Sequence, residues 1–335
     1  YNVTEYKGCS YLSEIDFGSG SKLKSIGAEA FYGAAITTLN LPASLISIGN
    51  DCFAGCNNLT EVVAIGNSLK SIGDGAFKNT PLRSIIIPGS MDSLGKNVFA
   101  GCRNLSAISF GQSSKYSFDG NAIYEKIDSN ESKLIFLCSG VRSLEVPSFV
   151  SEIDLVAFEY ASDLSEIIVA DSSHYSSENG LLLNKDGNKI LYIPMAIKIL
   201  EIPSGVHELK NIEGRSLFSN RSIETLIWES SSITIKSTSI KGINSAILKS
   251  SGNLEISGTA IYGAFSGLQS LVLEAKHMKL GEYITLQSSP SVMISCETLE
   301  VVKNTGIIFA NGNIINMCVL TSNEKIVKDI STELG

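Results

Sequence analysis

The side chains best suited to nucleophilic, acid–base or metal chemistry in this 335-residue chain are three histidines and seven cysteines. A catalytic triad needs two or three such groups within about 3 Å of one another. His174, His207 and His277 fall in separate segments, each without a partner motif nearby. The scattered carboxylates Asp163, Glu166 and Asp171 read as a solvated face. Asp186-Gly187-Asn188 matches part of a calcium loop, but no Glu follows at the required spacing, so it reads as a turn. Gly18-Ser19-Gly20 does not open a helix after a strand, as a phosphate-binding loop would. The cysteines include no Cys-x-x-Cys pair, and Cys138, Cys296 and Cys318 stand alone. A structural zinc site needs denser ligands. The sequence therefore predicts no catalytic residues, no metal and no cofactor, and the chain is not expected to be an enzyme.

The elements that hold these residues are repeats. Leu39-x-Leu41-Pro42, Val62-Val63-x-Ile65, Ile85-x-Ile87-Pro88 and Ile108-x-Phe110 recur every 23 residues. A second motif follows the first three: Ile48-Gly49-x-x-Cys52-Phe53-Ala54-Gly55-Cys56-x-x-Leu59, then Ile72-Gly73-x-x-Ala76-Phe77, then Leu94-Gly95-x-x-Val98-Phe99-Ala100-Gly101-Cys102-x-x-Leu105. An upstream copy is Ile26-Gly27-x-x-Ala30-Phe31. A unit this short cannot bury its own apolar side, so it must stack on a neighbour. Leu39 and Leu41 alternate to one face, as in a strand. Pro42 and Pro88 end that strand. The Ala-Phe segment is too short for a stable helix and reads as one helical or 3₁₀ turn. Phe31, Phe53, Phe77 and Phe99 are expected to stack in register as an aromatic spine. Cys9, Cys56 and Cys102 share a position with Ala34 and Thr80, which marks a small buried slot. Cys52 takes the place of Ala30 and Ala76, so it is expected inside as well.

Two stretches interrupt the repeats. One runs from Tyr116 through Tyr124 to Phe136. The other runs from Tyr175 through Asp186-Gly187 to Pro194. Asp-Gly between apolar runs is a hairpin signal, and both read as β-hairpins projecting from the stack. The repeat resumes at Leu144-x-Val146-Pro147 and Leu200-x-Ile202-Pro203, with Phe158 and Phe218 completing units. After about residue 229 the pattern degenerates. Ile233-x-Ile235, Leu254-x-Ile256 and Leu271-x-Leu273 still read as inner strands, Ala264-Phe265-Ser266-Gly267 as the old turn, and Ile307, Ile314 and Ile315 as further strand. The expected organisation is 1–229, repeats with insertions near 116–136 and 175–194, continuous with 230–335, degenerate β-rich repeats and a C-terminal cap.

The pattern Leu-x-x-Ile-x-Leu-Pro-x-x-Leu-x-x-Ile-Gly-x-x-Ala-Phe-x-Gly-Cys-x-x-Leu resembles the BspA-like, or Treponema pallidum type, leucine-rich repeats. Residues 39–61 and 82–105 carry it well, and 179–194 resembles that family's hairpin insertion. The implied fold is a leucine-rich repeat solenoid. It has a parallel β-sheet on one face, short turns or 3₁₀ turns on the other, and hairpin insertions. Family members are mostly surface or secreted proteins of gut and oral bacteria and some mucosal protozoa, the best known being adhesins. The resemblance implies a cell-surface or secreted scaffold adhering to host or bacterial surface proteins. A carbohydrate-binding surface protein and a passive spacer are the alternatives.

Composition fits these readings. At 44% hydrophobic residues the chain can build a core, and the net charge of -8 without a basic stripe argues against nucleic acid. No 18-residue apolar stretch spans a membrane. The partner is expected to be an extracellular protein or glycan, and the chain a monomer. Tyr6-Lys7-Gly8-Cys9-x-x-Leu12 matches the second half of a unit, so a natural start upstream, with a signal or lipoprotein segment, is expected. Several of the Asn-x-Ser/Thr matches, such as Asn58-Leu59-Thr60 and Asn104-Leu105-Ser106, belong to the turn grammar of the repeat, so chance explains them.

Binding would need exposed anchors, and aromatics serve best. Trp228 occupies the inner-strand position of Leu41 and Ile87 and is expected in the core. Tyr32 stands where other copies have Ala54, Lys78 and Ala100. A slot that accepts Lys faces solvent. Tyr116, Tyr124, Tyr175 and Tyr192 lie on the insertions. These five tyrosines are the candidate partner-binding residues, with simple cover of the stack as the competing reading.

Overall fold

The computed structural model describes residues 2–3, 10–112, 115–172, 174–209, 223–236, 243–257, 265–266, 269–280, 284–287, 291–301, 307–310 and 317–320. Tyr6, Cys9, Phe218, Ala264, Gly267, Ile314, Ile315 and the expected C-terminal cap lie outside these residues. The chain divides into two compact units, 1–164 and 165–335.

In the first unit each coil gives two short strands and one turn. One parallel ladder is built from Thr38–Asn40, Glu61–Ala64, Ser84–Ile87 and Ala107–Phe110. Its inward residues Leu39, Val62, Ile85, Ile87 and Ile108 are buried, as period-two alternation requires. A second parallel ladder runs Asn2–Val3, Ser25–Ile26, Ser47–Ile48, Ser71–Ile72, Ser93–Leu94. Its register sets Ser25 on Ser47, Ser47 on Ser71 and Ser71 on Ser93.

The Ala-Phe segments are turns rather than helices, because every second backbone N–H bonds to the next coil while those between them, such as Tyr32 N–H to Glu29 O, close local turns. Phe31, Phe53 and Phe77 N–H donate to Cys52, Ala76 and Val98 O at 2.8–2.9 Å. Among the described residues only Leu155–Phe158 forms a 3₁₀ helix, capped by Asp154. Each of these turns contains two left-handed residues four apart: Glu29 and Gly33, Asp51 and Gly55, Gly75 and Asn79, Asn97 and Gly101. Asn and Gly tolerate that region best, which explains why Asn79 can replace the expected Gly. The phenylalanines stack as the repeat predicts. Successive ring centroids of Phe31, Phe53, Phe77 and Phe99 lie 5.5, 5.5 and 6.0 Å apart, with interplanar angles of 8–11°.

The insertion of the first unit is an antiparallel meander of Tyr116–Phe118, Ala122–Lys126 and Ser132–Leu137. Val150–Ile153 then adds in parallel to the last of these strands. The meander does not project. Tyr116, Ile123, Phe136 and Cys138 join the same core cluster as the repeats.

In the second unit the strand Glu166–Ile168 is followed by an antiparallel meander of Tyr175–Glu178, Leu181–Asn184 and Ile190–Tyr192. The Asp186-Gly187 turn is closed by the Gly187 N–H bond to Asn184 O at 3.0 Å. A seven-stranded sheet follows, with Ile199–Ile202, Thr225–Lys236, Ser245–Ser257, Ser270–Leu280, Ser291–Val301 and Met317–Leu320 in that order and Glu208–Leu209 beside the second of them. The four central strands are 11 to 13 residues long. They replace the two short strands and intervening corner of the earlier coils, which accounts for the degenerate sequence pattern. Trp228 is fully buried, and its indole N–H donates to Val206 O at 2.9 Å.

Candidate functional site

Three of the five candidate tyrosines are buried. Tyr116 is 4% exposed; its ring packs 5.8 Å from Phe110 and its hydroxyl accepts the Leu94 N–H. Tyr124 is 1% exposed, edge-on to Phe149, with its hydroxyl donating to Asp119 Oδ2 at 2.7 Å. Burial and the Asp119 carboxylate both push that phenol up. Tyr192 is buried in its strand. These three rings are therefore pillars of the insertions, and the surface expected from their place in the sequence is not formed by them. The cause is that the insertions pack into the core rather than standing clear of it. Tyr175 is half-buried beside His174. Tyr32, in a coil of the first unit, is 47% exposed.

The reactive groups are dispersed. His207 Nδ1 lies 2.7 Å from Ser230 Oγ, which donates to Ser204 O and so accepts from the imidazole. His277 Nδ1 meets Thr298 Oγ1 at 2.8 Å. Cys52, Cys56, Cys102, Cys138 and Cys296 are free and buried. Burial pushes all five thiols up, Cys56 to about 11 and Cys138 to about 12, the opposite of what a nucleophilic thiolate needs. Among the described residues no group of three or more His, Cys, Asp or Glu could hold a metal ion.

What the structure offers instead is a face. On the outward side of the seven-stranded sheet, register aligns Glu201, Ile227, Ile247, Val272 and Met293 in one row. Four consecutive members are apolar, half-buried by one another up to Met293, which is 37% exposed. The adjacent row is Ile199, Thr225, Ser245 and Ser270; the other is Glu229, Lys249 and Glu274. Lys249 Nζ reaches Glu229 Oε1 at 3.5 Å. In the first unit, Val63 and Ile86 stand out from neighbouring strands, 60% and 71% exposed. Reading the sequence for inward residues missed this row. Its signal was present: the x of Leu226-x-Trp228, Ala246-x-Leu248 and Leu271-x-Leu273 is apolar in all three.

Parallel ladders, short connecting turns and an apolar core in each unit define a leucine-rich-repeat solenoid. The profile described as BspA type leucine rich repeat region (6 copies) matches residues 3–106, 24–129, 116–201 and 184–313. The chain belongs to this family. Among solved structures it is similar to the pneumococcal vaccine antigen PcpA, at 16% identity over 89% of this chain and 77% of that one, TM-score 0.45. It is also similar to a leucine rich cell surface protein from Faecalibacterium prausnitzii A2-165, at 19% identity over 72% and 71%, TM-score 0.45. A T. pallidum leucine rich repeat protein is similar at 18% identity over 67% and 71%, TM-score 0.27. No curated protein matches the chain. No helix among the described residues is long and apolar enough to cross a membrane.

Proposed function

We propose that this chain is a cell-surface or secreted scaffold that adheres to a protein partner through the outward sheet face of residues 165–335. Membership of the BspA-type family supports a binding scaffold. The observation that carries the protein reading is the row Ile227, Ile247, Val272 and Met293, flanked by a hydroxyl row and a charged row. An apolar centre with a polar rim is the anatomy of a protein interface. A glycan face would need exposed rings, and this row has none. A passive spacer has no use for four aligned apolar side chains on its solvent side.

The test is saturable binding of the immobilised chain to fibronectin, fibrinogen and laminin, and to intact bacterial cells, at physiological salt. The double variant Ile247→Glu with Val272→Glu should weaken the observed binding at least tenfold and leave the circular dichroism unchanged. Undiminished binding by that variant, or no saturable binding to any of these surfaces, would overturn the reading.

A further inference from the structure

The turn side of the first unit holds a groove of about 770 Å³, lined by Ser10, Glu29, Tyr32, Asp51, Lys78 and Asn79 among others. At the groove one left-handed position holds Glu29 and Asp51 in consecutive coils, and the other holds Gly33, Gly55 and Asn79. Tyr32 lies over Gly55: its Cζ is 4.0 Å from where a Cβ on Gly55 would stand. Asp51 covers Gly75 and Asn79 covers Gly101 in the same way. Among the described residues nothing lies within 4 Å of a Cβ position on Gly33, which lines the groove beside Tyr32. Gly33 and Gly55 both line it, so a side chain at either would stand in the groove.

From this geometry we propose that the groove is a saccharide-binding site, distinct from the sheet face and independent of its role. The Tyr32 ring offers an apolar plane with a wet edge, on which the C–H face of a sugar ring can stack. Glu29 and Asp51 occupy the same position in consecutive coils, and their carboxylates accept hydrogen bonds from hydroxyls. Coils repeat at about 4.8 Å, close to the length of one sugar ring, so successive carboxylates match successive sugars. Lys78 and Asn79 add donors, and hydroxyls need both donors and acceptors. Lys78, its ammonium 4.7 Å from the Tyr160 ring centroid, offsets one carboxylate, so the groove is no simple cation trap. A protein segment would find only one apolar anchor here.

The test is calorimetric titration of the full chain with maltohexaose, chitohexaose and xylohexaose, with hexa-arginine alongside. Tyr32→Ala removes the platform. Gly33→Asn blocks the floor with a residue that the turn already accepts, since Asn79 holds the equivalent position at φ 56°. At least one hexasaccharide should bind saturably, each variant should weaken it tenfold or more, and Val272→Glu should leave it unchanged. Should Tyr32→Ala unfold the chain, Gly33→Asn decides alone. Failure of all three sugars, or binding that survives Gly33→Asn, would overturn the proposal. So would hexa-arginine binding lost in Asp51→Asn without sugar binding, which would make the groove a cation site.

Discussion

The Leu94 N–H donates to the Tyr116 hydroxyl at 2.9 Å. Leu94 closes the ladder that runs from Asn2–Val3 to Ser93–Leu94, and among the described residues no further strand joins it. A side chain of the insertion thus does for the last strand what the next coil does for the others. An exposed or unpaired edge is a liability in any stack of strands. Tyr116→Phe keeps the ring against Phe110 and removes the acceptor. An unsatisfied buried N–H costs about 1–3 kcal/mol. The expected outcome is a lower urea midpoint and faster amide exchange at Leu94; unchanged exchange there would show that the hydroxyl is dispensable.

A Cβ on Gly95 would stand 2.5 Å from Asp74 N and from Gly73 C, both backbone atoms. No rotamer change can relieve that contact, so Gly95→Ala must push coils apart, at a cost of about 1–3 kcal/mol or more. Among the described residues nothing lies within 4 Å of a Cβ on Gly33, so Gly33→Ala carries the left-handed backbone penalty of about 1–2 kcal/mol without a backbone contact of that kind. Chemical denaturation of the two variants side by side should rank Gly95→Ala as the worse. The reverse order would mean that backbone conformation outweighs coil spacing in these turns.

The repeat grammar was legible because each coil restates the same physical demand. Phe31, Phe53, Phe77 and Phe99 had to stack, Trp228 had to point inward, and Cys, Ala and Thr had to share one small slot. Thr80 shows the slot's chemistry: its hydroxyl donates to Phe77 O at 2.9 Å and lies 3.3 Å from Cys102 Sγ. The insertions were legible as hairpins but not as core. Alternation in Tyr116-Ser117-Phe118 tells which side chains share a face, not what covers that face. Residues Ala122, Ile123 and Tyr124 are consecutive and all buried, so the strand is covered on both sides. The left-handed Glu29 and Asp51 carry no local signal either, since Gly75 and Asn97 fill the same place in other coils. The apolar row at Ile227, Ile247 and Val272 needed register, which only strand pairing supplies.

The Phe77 ring is stacked on both sides, 5.5 Å from Phe53 and 6.0 Å from Phe99, and is fully buried. Phe77→Ala leaves a cavity at a coil interface and should cost about 3–5 kcal/mol. Stability in a solenoid is carried by neighbour-to-neighbour terms. Hydrogen exchange should therefore accelerate in the coils around Phe53 and Phe99 while the strands Thr225–Lys236 and Ser245–Ser257 keep their protection. Uniform loss across both units would sink this local picture. Phe77→Leu, which fills most of the volume, should recover more than half of the loss.

The buried thiols set an alkaline limit on the fold. A free thiol ionises near 9.0, whereas burial holds Cys56 at about 11 and Cys138 at about 12. Between these values the unfolded chain gives up protons that the folded chain keeps. The unfolded state binds fewer protons, so stability falls as pH rises. The contribution is whole below pH 9 and is lost by about pH 11 for Cys56, at up to about 1.4 kcal/mol per pH unit. Cys52 and Cys102 are pushed in the same direction by burial and steepen the fall. Ala34 fills the Cys56 position one coil earlier, so Cys56→Ala should fold, at a cost near pH 7 of about 1 kcal/mol for the lost sulfur contacts. Because the variant has no thiol to ionise there, its stability should fall less steeply between pH 9 and 11 and overtake that of the original chain. Urea midpoints for both chains at pH 7, 9, 10 and 11, under reducing conditions, decide the matter. Parallel curves would mean that the Cys56 slot opens to water before the thiol ionises, and that burial at this position does not survive alkaline conditions.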